Sequence, residues 1–195
     1  KMENSYDYNK GIRQIFYPPS NNSENGIKYL NELIGHNSIR YFSYARHALL
    51  EGLKCIGLKK NETILLPSFI CRDLLSSINS LEAKIEFYDV DIHLEPVLNV
   101  DHLPIAKAII AVNYFGFPQN LVNYTDYCKK TKAILIEDNA HGFLSSDQNG
   151  NFLGTRGDIG IFSIRKTLPV FNGAALIVNN KEYSSSLKPQ LKFQK

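Results

Sequence analysis

Hydrophobic positions along this chain gather into two kinds of block. Ala48, Leu49, Leu53 and Ile56 recur at helical spacing, as do Leu74, Leu75 and Ile78, and then Leu121, Tyr124 and Cys128. The other blocks are short and nearly continuous: Thr63–Pro67, Lys84–Tyr88, Ala108–Val112, Ala133–Ile136, Ile159–Ile164 and Ala174–Val178. Apolar runs of that length, closed by polar or turn-forming residues, predict strands buried on both faces. Gly57 stops the first helix, and Pro67 closes the first strand. Six strands with helices between the first four predict an α/β domain with a mostly parallel sheet, flanked by helices on both faces.

The first forty residues are more polar. Pro18-Pro19-Ser20-Asn21-Asn22-Ser23 predicts a loop, and Gly26–Ile34 a short helix. The chain carries no internal repeat.

Ligands of open α/β sheets bind outside the carboxyl ends of the strands. The polar clusters of this sequence fall there: Pro67-Ser68, Asn113-Tyr114-Phe115-Gly116, Glu137 through Gly142, and Ser163 through Lys166. Among them Asp138 follows an apolar run, where the N-cap of a following helix is the commoner role for such a residue and a shielded functional carboxylate the alternative. Its neighbour Glu137 points to the opposite face if the strand continues.

Composition narrows the choice of function. The 195 residues suffice for one sizeable domain, with 44% hydrophobic and 21% charged residues. The net charge of +3 is spread along the chain, which argues against a nucleic-acid partner. Cys55, Cys71 and Cys128 form no CxxC pair, and the five histidines lack zinc-ligand spacing, so no metal site is expected. The run Ala106–Val112 is too short to cross a membrane, and Lys1-Met2-Glu3-Asn4 opens no signal peptide. A cytoplasmic protein with no membrane partner is the expectation.

Several motifs then stand in order: Ile64-Leu65-Leu66-Pro67-Ser68-Phe69, Val112-Asn113-Tyr114-Phe115-Gly116-Phe117-Pro118, Ile136-Glu137-Asp138-Asn139-Ala140-His141-Gly142, and Gly157-Asp158-Ile159-Gly160-Ile161-Phe162-Ser163-Ile164, with Lys166 before Asn172-Gly173. Together, over residues 40–180, they resemble the DegT/DnrJ/EryC1/StrS family, pyridoxal-phosphate (PLP) enzymes of fold-type I that aminate nucleotide-linked keto sugars. The resemblance implies that Lys166 is the Schiff-base lysine and that Asp138 pairs with the cofactor's pyridine nitrogen. It also sets His141 near the phenolic oxygen and Ser163 at the phosphate.

Three positions depart from the family pattern. Tyr44-Ala45-Arg46 stands where the family usually has Ser-Gly-Thr; the amides of Ala45 and Arg46 and the Arg46 guanidinium still suit phosphate. Cys71 replaces an aromatic residue that would stack on the cofactor ring. Phe69 could substitute for it, although a buried core residue is the better reading, and Tyr114 either lines the site or packs beside it. Finally, Phe162-Ser163-Ile164-Arg165-Lys166 is two residues shorter than the family's usual spacing, while Lys166 keeps register with the glycine motif after it.

The resemblance implies an N-terminal extension over residues 1–40, a PLP-binding large domain over 41–180, and a link toward a missing small domain over 181–195. It further implies a nucleotide-sugar substrate, an amino-acid donor and a homodimer. A large domain on its own would expose apolar surface and turn over poorly. The rival reading is a non-catalytic fold-type I domain acting as a binding or structural unit. A related PLP lyase or desulfurase would need a cysteine loop, yet Cys55 and Cys128 fall in predicted helices.

Overall fold

The computed structural model describes residues 31–32 and 39–187. Asn31 and Glu32 are helical. The rest of the helix expected over Gly26–Ile34, and the expected loop at Pro18–Ser23, lie outside the described residues. The chain divides into two compact units, Lys1–Asn37 and Ser38–Lys195, and the second carries the sheet.

The sheet has eight strands: β1 (Ile39–Phe42), β2 (Thr63–Pro67), β3 (Lys84–Val90), β4 (Pro96–Val97), β5 (Ala108–Val112), β6 (Ile134–Asn139), β7 (Ile159–Phe162) and β8 (Ala174–Val178). Their spatial order is β1-β8-β7-β6-β5-β2-β3-β4. The central run β7-β6-β5-β2-β3 is parallel. At one edge β8 and β1 are antiparallel, and at the other β4 is. All residues of β5, β6, β7 and β8 are buried, as expected for strands covered on both faces.

Among the described residues from Ile39 on, four helices accompany the sheet: α1 (Ala45–Cys55), α2 (Asp73–Asn79), α3 (Val122–Thr131) and the short α4 (Lys181–Ser184). Residues of α1 and α2 share one core with Ile64, Ile110, Ile136, Ile161 and Leu176. Tyr124 and Tyr127 of α3 share another with Leu65, Ile109 and Leu135. Successive strand residues thus feed opposite layers. Leu49 and Leu53 of α1 are wholly buried, and each contributes about 2 kcal/mol of apolar burial. Gly52 lets α1 sit close to the sheet, since a Cβ there would lie 3.2 Å from Leu176 Cδ1. Gly57 ends the helix with φ +69°.

The fold is the helix-flanked, mostly parallel sheet that the strand pattern predicts, with four corrections. Two strands lack a readable signal: β1 lies at the edge of the polar N-terminal stretch, and β4 has only two residues. Between β3 and β5 no helix forms; the Asp91 carboxylate instead accepts the N–H groups of His93 and Glu95, and Leu94 turns with φ 63°. β6 runs on through Glu137, Asp138 and Asn139, because both neighbouring strands pair with these residues. β7 stops at Phe162, and Ile164–Lys166 form a single 3-10 turn. Among the described residues no helix is long and apolar enough to cross a membrane.

Candidate active site

The chain passes from β2 to β3 on one side and then returns to β5 on the other side of β2. That reversal of strand order opens a crevice at the carboxyl ends. A cavity of about 350 Å³ lies there, within the range of small-molecule sites. Its walls come from the segments after β2, β5, β6 and β7 and from the start of α1. Lys166, Asp138, His141, Ser163, Ala45, Arg46 and Cys71, all singled out from the sequence, line this one cavity.

Asp138 stands in β6 between Val112 of β5 and Ile161 of β7. Hydrogen-bonded neighbours on both sides fix its direction. It caps no helix, because the chain turns at Ala140 and its Oδ1 accepts the Ala140 N–H at 3.0 Å. Burial pushes its carboxyl up to about 6, against the opposing effects of that hydrogen bond and of the Lys166 charge. Tyr114 feels the same carboxylate. Burial first, and then the Asp138 charge, push its phenol up to about 12.

The Asn139 amide donates to Gly142 O and Leu153 O, both at 2.9 Å, and pins the turn that presents His141. The His141 ring stacks on Phe115, with centroids 5.8 Å apart and planes 9° apart. Its Nδ1 accepts the Phe115 N–H at 3.4 Å. Phe115 itself turns with φ 54°. Burial, followed by the Lys166 charge, holds the imidazole below its ordinary value.

Ser163, buried, comes directly after β7, and Lys166 closes the next turn through a 3.0 Å bond from its N–H to Ser163 O. The Asn172-Gly173 motif anchors this rim. Gly173 donates to Ser43 O at 3.0 Å, and Arg165 donates to Gly173 O at 3.2 Å. Lys166 is exposed at the cavity mouth. Cys71, exposed just ahead of α2, also lines the cavity.

Phe69 corrects its core reading. Its side chain is 54% exposed at the rim, with its ring 5.6 Å from that of Tyr114. Tyr114 lines the cavity and is also packed, for its hydroxyl donates to Phe69 O at 2.7 Å. Glu137 faces away from the cavity and is wholly buried against Arg156. Sequence reasoning passed over Tyr44, Phe115 and Arg165 as site residues, and all three line the cavity. Each falls inside a cluster the sequence does mark, at Tyr44-Ala45-Arg46, after β5 and after β7, but nothing in sequence marks a phenylalanine for a left-handed turn; the adjoining Arg165-Lys166 pair did hint at a charged rim.

The model of the DegT/DnrJ/EryC1/StrS aminotransferase family matches residues 27–192. The chain belongs to that family. Among its relatives is the dTDP-4-amino-4,6-dideoxy-D-glucose transaminase of Shigella dysenteriae, 29% identical over 171 residues. That match covers 82% of this chain and 44% of the relative, so the chain spans less than half of that enzyme's length. The aminotransferase TlmJ from Streptoalloteichus hindustanus superposes with a TM-score of 0.69 at 26% identity, over 81% of this chain and 45% of its own. The Escherichia coli GDP-4-keto-6-deoxy-D-mannose-3-dehydratase with bound hydrated PLP superposes with a TM-score of 0.71 at 22% identity, over 82% and 44%. The sheet and its helices are those of a fold-type I aminotransferase.

Proposed function

We propose that this chain is the cofactor-binding large domain of a PLP-dependent aminotransferase. Its reaction passes an amino group from an amino-acid donor to a nucleotide-linked keto sugar. The observation that carries the proposal is the pairing of a buried carboxylate, Asp138, with an exposed amine, Lys166, in one cavity at adjacent strand ends.

The residues present fit PLP. A buried carboxylate whose charge is disfavoured gains from a cationic N–H, which a protonated pyridine offers. The Ser163 hydroxyl, the first amides of α1 and the Arg46 guanidinium suit a phosphate. When bound, PLP supplies an electron sink for the carbanion at the amino-bearing carbon.

The chain's own residues divide the remaining roles. Asp138 holds the ring-nitrogen proton by charge and hydrogen bond. Lys166 would hold the cofactor through its side-chain amine and, once free, would carry a proton from the donor's α-carbon to the carbon that had been the cofactor's aldehyde. His141, with Nδ1 already accepting, has Nε2–H left to donate to the phenolic oxygen. Cys71 offers polarizable sulfur where the family usually stacks an aromatic ring.

Family membership supports this reading, as does the sugar-nucleotide transaminase among the relatives. The exposed rings of Phe115, Phe117 and Phe171 favour a covering surface, such as a second subunit of a homodimer. Because the relatives are about twice as long, turnover by this chain alone is expected to be low. A cytoplasmic location fits the same reading.

The test is to incubate the chain with PLP, reduce with borohydride and locate the label by mass spectrometry. A stable cofactor adduct on Lys166, absent from Lys166→Ala, supports the proposal. A chain that binds no PLP, or that is labelled equally in the variant, refutes it.

A further inference from the structure

Tyr44 carries two guanidinium groups. Arg46 Cζ lies 4.3 Å from the centroid of its ring, and Arg165 Cζ lies 5.4 Å from the same centroid. The backbone builds this meeting. Ser43 O accepts from Gly173 N–H, and Gly173 O accepts from Arg165 N–H, so Tyr44 and Arg165 hang from one glycine. The next residue, Lys166, lines the cavity that Arg46 and Arg165 also line.

This arrangement concentrates positive charge. Ring contacts to cations are weak at half-exposed sites and do not by themselves justify bringing two like charges together. Asp73 Oδ2 stands 3.6 Å from Arg46, with its side chain 68% exposed. Among the described residues no carboxylate lies within 4 Å of the Arg165 guanidinium. Lys166 and the amino end of the eleven-residue α1 add further positive character. A monoanion would leave most of this charge unanswered. A phosphoryl group close to dianionic at neutral pH answers it, and guanidinium forks match its oxygens.

We propose that Arg46 and Arg165, seated on Tyr44, form a two-guanidinium clamp for a phosphoryl group at the mouth of the cavity. The clamp does with side chains what the family's Ser-Gly-Thr does with hydroxyls and backbone, and Tyr44 is its positioning residue. The phosphoryl group belongs either to the cofactor, a monoester, or to the nucleotide carrier, a diphosphate. The clamp rests on the proposed function only for which of these molecules arrives.

Calorimetry on the full chain tests it with PLP, pyridoxal, dTDP and inorganic pyrophosphate. The wild-type chain binds PLP more tightly than pyridoxal. Arg165→Gln and Tyr44→Leu then lose about tenfold or more for the phosphorylated ligand, the scale of one charge-assisted hydrogen bond, while pyridoxal binding stays unchanged. Tyr44→Phe, which keeps the ring, retains wild-type binding. A loss confined to dTDP assigns the clamp to the nucleotide. Binding of pyrophosphate without PLP upholds the clamp and sinks the cofactor reading. Equal losses for PLP and pyridoxal, no loss at all, or no binding of any phosphorylated probe would overturn it.

Discussion

Glu137 and Asp138 are consecutive in β6 and face opposite layers. The Glu137 carboxylate accepts from the Arg156 N–H at 2.6 Å, from Arg156 Nη2 at 2.8 Å, from Gly157 N–H at 2.8 Å and from Asn113 Nδ2 at 3.1 Å. Asp138 accepts only the Ala140 N–H from the described residues and opens on the cavity. One carboxylate is saturated by the protein; the other is left with capacity for a ligand. The period-two alternation of a strand separates the two tasks over a single residue.

Arg156 ties the far side of the site together, since its guanidinium also donates to Asn113 Oδ1 and Gln119 O. Removing it leaves a wholly buried carboxylate without its cation. Arg156→Met is expected to cost about 3–5 kcal/mol, the range for breaking one partner of a buried pair. Arg156→Lys should recover little, because an ammonium cannot reproduce the fork. Urea unfolding at neutral pH measures both; a loss below about 1 kcal/mol for the methionine variant would show the network to be dispensable.

Asp138 makes stability depend on pH in the opposite sense from an ordinary paired carboxylate. Its folded value, about 6, lies above the ordinary 3.8, so the folded state holds the proton more tightly than the unfolded chain. The stability from this group is complete below about pH 4 and lost as pH rises through about 6. The shift corresponds to about 3 kcal/mol. Asp138→Asn should therefore stabilise the cofactor-free chain at about pH 8 by up to that amount and leave it unchanged at about pH 4. The same variant should bind PLP poorly. Denaturant melts at the two pH values decide it: an asparagine variant no more stable than wild type at the higher pH would mean that the carboxylate is not penalised.

The parallel core was legible because β2, β5, β7 and the first half of β6 carry nearly continuous apolar runs, a pattern set by burial on both faces. The cavity was legible as positions after those strands, since the sheet fixes where the chain leaves each of them. β4 was not, for two residues carry no periodicity. Neither was the extent of β6: Glu137-Asp138-Asn139 reads as a turn until partners on both sides hold it extended. Phe69 misled because an aromatic residue after a strand usually packs inward, while here its backbone carbonyl is held by Tyr114 and its ring reaches the rim.

His141 titration reports the charge of its neighbour. Burial is the larger cause of its lowered value and Lys166 the second. In Lys166→Ala the repulsion is gone and the histidine should titrate at higher pH, while staying below the ordinary 6.5 because burial persists. Imidazole NMR tracks this directly. An unmoved midpoint in the variant would mean that the Lys166 ammonium does not reach the imidazole.

Phe115 offers a test of backbone strain apart from side-chain contacts. It turns with φ 54°, a region that costs a non-glycine residue about 1–2 kcal/mol. The next residue, Gly116, turns with φ +84°, and its backbone packs against Gly142 in the loop that carries His141. This contact, with the His141 stacking and hydrogen bond, over-determines the turn. Phe115→Ala removes the ring but keeps the strain; Phe115→Gly removes both. The glycine variant should therefore be more stable than the alanine variant by about 1 kcal/mol, the reverse of the order that unfolded-chain entropy alone dictates. Equilibrium unfolding of the pair measures the difference. If alanine proves the more stable, the left-handed turn at Phe115 is not held in solution, and the Phe115 N–H is not fixed on His141 Nδ1.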